Sequence, residues 1–141
     1  MTCSVIKKQA VNLVSSVVLL LAASISAHSQ VDWVRSRSGA GIPTGAIVGG
    51  VEFSGPNHNV TLYVCRAAHE GGFHPGKLIA GKCNIPYGGR EIEKSQFDVA
   101  IGTGYWGKPR TGYAGALVGG EEPGRALYVC RVHYLQFNGL V

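Results

Sequence analysis

The chain has 141 residues, a formal net charge of +5 and 45% hydrophobic residues. That is enough for one domain with a modest core. Its lysines and arginines stand singly among acids instead of forming the basic stripe of a nucleic-acid binder, which argues against a nucleic-acid partner.

The N-terminus reads as an export signal. Lys7 and Lys8 precede an uncharged stretch from Ala10 to Ala27 that contains Val17-Val18-Leu19-Leu20-Leu21 and ends in small residues before His28-Ser29-Gln30. A positive head, an apolar middle and a small-residue exit form the tripartite secretory pattern. A membrane anchor fits less well: the most apolar part falls short of the roughly 20 residues a helix needs to span a bilayer. The expected organisation is therefore a signal peptide over 1–29, cut after Ser26, Ala27 or Ser29, and one β domain over 30–141. Such a product would be secreted, extracellular or periplasmic, with no stable membrane insertion. Losing Lys7 and Lys8 from the 13 basic residues leaves eleven against eight acids, a mild +3.

All 21 glycines follow residue 30. They alternate with apolar and aromatic clusters that disordered chains lack, so they punctuate short strands. Beyond Gln30 no helix-length window shows an apolar period of 3.6. The β-rich runs are Ala46–Val48, Val60–Ala67, Phe97–Ile101, Ala116–Val118 and Ala126–Val132. Within Thr61–Arg66 the residues Leu62, Val64 and Arg66 point one way, and Tyr63 and Cys65 the other. Both faces carry bulk, which marks a central strand covered on both sides. Pro75-Gly76 suits the centre of a type II turn, with Lys77 leaving it at a fixed angle, and Tyr87-Gly88-Gly89 suits a second turn. Many short strands between turns give an all-β sandwich or barrel.

The chain repeats itself. Gly45-Ala46-Ile47-Val48-Gly49-Gly50-Val51-Glu52 returns as Gly115-Ala116-Leu117-Val118-Gly119-Gly120-Glu121-Glu122, and Leu62-Tyr63-Val64-Cys65-Arg66 returns as Leu127-Tyr128-Val129-Cys130-Arg131. Trp33 opens the first copy and Trp106 the second. Repeat one covers 32–102 and a partial repeat two covers 103–141, whose residues from Val132 onward hold neither Pro-Gly-Lys nor Tyr-Gly-Gly. The Ala126–Val132 strand is thus expected to lack its neighbour, which leaves room for a partner chain, as in a homodimer, to complete the sheet.

These blocks, with Ile42-Pro43, Pro75-Gly76-Lys77, Ile85-Pro86-Tyr87-Gly88-Gly89-Arg90-Glu91 and Phe97-Asp98-Val99, resemble the DM-nine repeat family, which includes natterin-like proteins and a mannose-specific oyster lectin. The resemblance implies a β-sandwich of two intertwined tandem repeats, the second truncated, and recognition of a mannose-type glycan. It places the acid just after the Gly49-Gly50 turn and the lysine of Pro-Gly-Lys in the carbohydrate site: Glu52 and Lys77. A carboxylate accepts from two sugar hydroxyls and an ammonium donates to shared oxygens. The lectin's acid is an aspartate, so Glu52 reaches one methylene farther. The bland account of the pair is a solvated ion pair worth about 0–1 kcal/mol. In repeat two Glu122 matches Glu52 but has no lysine partner.

Other chemistries are weaker. Cys65, His69, His74 and Cys83 include the residue types of a Cys₂His₂ zinc set, but not at zinc-finger spacing, so no metal or cofactor is expected. With Cys3 removed, three cysteines remain, and either a Cys65–Cys83 disulfide or buried free thiols would account for them. A Cys-His nucleophile lacks an orienting third group, and no pair of acids is placed for glycoside cleavage. The expected function is a secreted lectin module without catalysis. The alternative is a structural or toxin-associated protein-interaction module that binds no sugar.

Overall fold

The computed structural model describes residues 3–7, 31–53, 58–108 and 113–132. The chain is all-β. The strands run β1 (Cys3–Lys7), β2 (Asp32–Arg37), β3 (Val48–Phe53), β4 (Asn59–His69), β5 (Gly72–Ile79) and β6 (Lys82–Tyr87). They continue as β7 (Arg90–Lys94), β8 (Gln96–Ile101), β9 (Tyr105–Gly107), β10 (Val118–Glu122), β11 (Arg125–Tyr128) and β12 (Cys130–Val132). The larger sheet has the order β11-β10-β5-β4-β8-β2, with β3 also on β4 and β6-β7 continuing from β5; the smaller is β12-β1-β9. Every pairing is antiparallel. Because β10 of repeat two pairs β5 of repeat one through Glu121 and Phe73, the two repeats are intertwined.

Strand β4 is central, as the two-sided bulk of Thr61–Arg66 requires. Val64 enters one buried cluster with Ile6, Val31, Ile47, Ala100, Leu117 and Val129, against which Trp33 and Trp106 pack. Cys65 and Ala67 enter the other with Leu78, Cys83, Ile85, Phe97 and Val99. The first cluster is built from repeat twins: Ile47 with Leu117, Val64 with Val129, Trp33 with Trp106. Each copy therefore contributes the same side chains to one shared core. The second belongs to repeat one, where the Cys65–Cys83 disulfide ties β4 to β6.

Two glycine-rich blocks differ from expectation. Gly49-Gly50 and Gly119-Gly120 are strand interior, where the register slips by one residue against β4 and β11. Such a bulge admits an extra residue and bends the strand. Pro75-Gly76 is no turn either, but the middle of β5. Gly76 is required because an added Cβ would fall 2.2 Å from the Asn84 carbonyl oxygen, and the Pro75 ring packs over Gly119. The Tyr87-Gly88-Gly89 turn is present: Gly88 and Gly89 both have positive φ, the signs that a tight turn between twisted strands demands.

The N-terminal residues take a place in the fold. In repeat one, β8 pairs β2 with Trp33 opposite Ala100, and β4 with Cys65 opposite Val99 and Arg66 opposite Asp98. In repeat two, β1 pairs β9 with Trp106 opposite Ile6, and β12 with Cys130 opposite Val5 and Arg131 opposite Ser4. The amide of Ile47 donates to the Ala100 carbonyl, and that of its twin Leu117 donates to the Ile6 carbonyl. Thus Cys3–Lys7 occupies the β8 position of repeat two, with Val5 and Ile6 buried and Cys3 bonded to Cys130. The strand expected to lack a neighbour has one on this side. The segment 8–30, which carries the apolar stretch of the expected signal, lies outside the described residues.

The substitute strand is imperfect at one position. Asp98 accepts from Arg35 Nε at 2.9 Å and from Arg66 Nε at 3.1 Å, while Arg66 lies over the Trp33 ring. Arg131 lies over Trp106 in the same way, but Ser4 stands where Asp98 does, and the buried Arg131 Nε has no hydrogen-bond partner among the described residues. Ser4→Asp should supply one and stabilise the full-length chain by about 1 kcal/mol, the usual net value of a hydrogen bond, read as a raised denaturation midpoint. An unchanged or lowered midpoint would contradict this placement of β1.

Candidate functional site

The site is built on three strands at one end of the larger sheet. Strand β4 holds β3 along its first half and β5 along its second, which brings Glu52 and Lys77 to the same surface. Along β5, Leu78 turns into the repeat-one core, so the alternation of a strand sends Lys77 to the opposite side. Lys77 Nζ donates to Glu52 Oε2 at 3.0 Å. The next hairpin adds a second acid: β6 and β7 join at Gly88-Gly89, and Glu91 Oε1 lies 3.4 Å from the same Nζ. Beside them Asn84, opposite Lys77 in the β5–β6 ladder, is buried with its Oδ1 unpaired among the described residues.

The two residues expected from the sequence thus meet, and Glu91 and Asn84 join them. Glu91 closes the Ile85–Glu91 block, yet only a folded β6–β7 hairpin carries it back to Lys77. Nothing in the residue types of Cys83-Asn84-Ile85 distinguishes Asn84; the clue is strand alternation, since Cys83 and Ile85 both enter the core.

The lysine is half-exposed, and its electrostatics are set by competing causes. Burial lowers its pKa, but the hydrogen bond it donates to Glu52 and the charges of Glu91 and Glu52 outweigh that, so the value lies above the ordinary 10.5. A lysine whose folded pKa exceeds its unfolded one adds stability that is complete below the unfolded value. That contribution is lost as pH rises through the folded value. Titration of the Lys77 side chain by NMR should give a midpoint above 10.5; a midpoint at or below it would mean that the carboxylates do not hold the ammonium.

Lys77, Glu91 and Asn84 line a cleft of about 1100 Å³. One wall is Val48–Val51 and Phe53 of β3, the other Tyr128–Val132 with Trp106, and the floor comes from β5 and β6. The lining is chiefly apolar. An arrangement of one ammonium, two carboxylates and a buried amide oxygen offers fixed donors and acceptors of both kinds, beside apolar and aromatic surface.

The matching acid of repeat two has different company. Glu122 Oε2 accepts from Arg125 Nε at 2.8 Å, and Glu122 Oε1 lies 3.6 Å from Nδ1 of the buried His74. The zinc set weighed from the sequence is taken apart: Cys65 and Cys83 are bonded to each other, and His74 Nε2 is 3.0 Å from the His69 carbonyl. The same bond takes Cys65 away from any nucleophilic role.

Fold and site together define an all-β module with a small polar cluster beside a chiefly apolar cleft. The family model described as the DM9 repeat matches residues 56–138, more than half of the sequence, and the chain belongs to the DM9 repeat family. DM9 repeats are carbohydrate-binding, lectin-like modules and not catalytic ones. No curated protein and no solved structure matches this chain.

Proposed function

We propose that this protein is a secreted lectin that binds a mannose-type glycan and performs no chemistry on it, with Lys77, Glu52 and Glu91 as its sugar-holding groups. The observation that carries the reading is the cluster itself: one ammonium held at 3.0 and 3.4 Å by carboxylates from two other strands. Each carboxylate keeps a second oxygen for a sugar hydroxyl, and the ammonium keeps donors for the oxygens between them. Charge assistance makes such bonds roughly twice as strong as neutral ones. Three strands fix the spacing, so little ordering is left to the moment of binding. Asn84 adds an acceptor at the edge of the cluster.

The Cys65–Cys83 disulfide, which lies wholly within 30–141, fits a protein that works outside the cytosol, where such bonds persist, and supports secretion. A glycan array probed with the full-length chain tests the reading against that of a pure interaction module. Mannose-terminated glycans should be retained and competed by free methyl mannoside. Retention of no glycan would leave the interaction module as the better account.

A further inference from the structure

Among the described residues, repeat one completes its neighbour in a way that repeat two does not return. Strand β5 lies between β4 and β10: Pro75, Gly76, Lys77 and Leu78 pair with Arg66, Cys65, Val64 and Tyr63, while Phe73 pairs Glu121 of β10. The twins of these partners are known from the repeat. Tyr128, Val129, Cys130 and Arg131 correspond to Tyr63–Arg66, and Val51 corresponds to Glu121. The two sets of twins face each other as the opposite walls of the cleft. Among the described residues no strand lies between them.

The glycines show what kind of strand such a space takes. At Gly120 an added Cβ would lie 1.9 Å from the Phe73 carbonyl oxygen, and at Gly119 one would lie 2.7 Å from the Pro75 Cβ. Both positions must be glycine because β5 approaches so closely. At Gly50, the twin of Gly120, an added Cβ meets nothing within 4 Å, and its φ is not in the left-handed region. Among the described residues no contact demands glycine there. The adjoining edge is apolar and exposed, with Val48, Val51 and Phe53 open to solvent and Phe53 72% exposed.

We propose that the cleft between β3 and β11–β12 is a strand seat, and that its occupant is an extended segment of the β5 type, Phe-x-Pro-Gly-Lys, supplied by a DM9 repeat of another chain. The incoming strand pairs its Pro-Gly-Lys portion with Tyr128–Arg131 and lays its Phe carbonyl against Gly50, as β5 does on Gly120. Backbone pairing along an unpaired edge supplies affinity, and the glycine and apolar wall supply register. A β5 strand within a folded copy of this chain is already engaged by β4 and β10, so the donor is a repeat whose own β5 strand is free. The seat does not rest on the sugar reading and would stand without it.

The test uses the full-length chain and a fluorescein-labelled synthetic peptide of the sequence Glu70–Ala80, followed by anisotropy. Saturable binding is expected, absent with a scrambled peptide. Gly50→Val should raise the Kd at least tenfold while leaving the melting curve in place, because the new side chain has free room in the unliganded protein. Should Gly50→Val fail to fold, Phe53→Ser at its exposed position serves in its place and should weaken binding severalfold. No saturable binding overturns the proposal. Binding unchanged in a folded Gly50→Val, or unchanged in Phe53→Ser, also overturns it, leaving Gly50 a glycine inherited with the repeat and not used.

Discussion

A chain that starts at Gln30 should melt about 10 °C or more below the full-length chain. The loss follows from β1. Val5 and Ile6 are each 1% exposed, and burying a side chain of this size contributes about 1.5–3 kcal/mol. Together they account for a large part of the roughly 5–15 kcal/mol that holds a domain folded. Ile6 also lies in the core shared by both repeats, so its removal opens a gap in the cluster that holds Leu117 and Val129 and exposes one edge of β12. The Cys3–Cys130 bond goes with it, and disulfide removal typically costs a further 2–5 kcal/mol. In a domain of this size about 1 kcal/mol moves the midpoint by several degrees. Coincident melting curves for the two chains would show that β1 contributes nothing. The same comparison bears on export. If secretion removes residues 1–29, the mature protein lacks β1 and Cys130 becomes a free thiol that a maleimide label counts; if the segment stays, the label finds none.

Gly120→Ala should destabilise the chain by about 3 kcal/mol, whereas Gly50→Ala, at the same place in the other repeat, should change stability by less than about 0.5 kcal/mol. The first figure is the upper part of the range for forcing extra atoms into a packed interior, and the second is the ordinary size of a harmless surface change. The cause is the obstacle. The Phe73 carbonyl belongs to backbone on a strand paired from both sides, so it cannot swing away as a lysine tip could. Relief requires parting β5 from β10, which also disturbs the junction of the repeats. Chemical denaturation of the two variants gives both numbers. Equal effects would mean that the repeats are packed alike at this point and that the seat beside Gly50 is filled.

Much of this fold was legible because repetition is itself a structural statement. Blocks that recur in order must make the same strands, and the twins Ile47 and Leu117 or Val64 and Val129 duly meet in one core. The two-faced pattern of Thr61–Arg66 marked β4 as central for a reason that needs only side-chain alternation. What misled was glycine. In Gly49-Gly50 and Pro75-Gly76 it signals a bulge and a close backbone approach, which look the same in sequence as a turn, because the demand comes from a strand distant in the chain. Strand β1 was hidden for a different reason: Cys3–Lys7 carries no repeat signature and precedes a stretch that reads as an export signal. Only its register against Trp106 and Cys130 exposes it as the counterpart of β8. At the site, Glu52 and Lys77 came from the resemblance, while Glu91 and Asn84 required the hairpin that returns β7 and β6 to Lys77.

The central claim is that Lys77 and its carboxylates hold a sugar, and calorimetric titration with methyl mannoside tests it most directly. The wild-type chain should bind, and Lys77→Ala and Glu52→Ala should each weaken binding by about 1.5–3 kcal/mol, the range for hydrogen bonds to charged groups. That is a ten- to hundredfold loss, with the fold intact because both side chains are partly exposed. Binding that survives both substitutions would place the sugar elsewhere on the molecule, and a wild-type chain that gives no heat with mannoside or any other glycan would contradict the lectin reading itself.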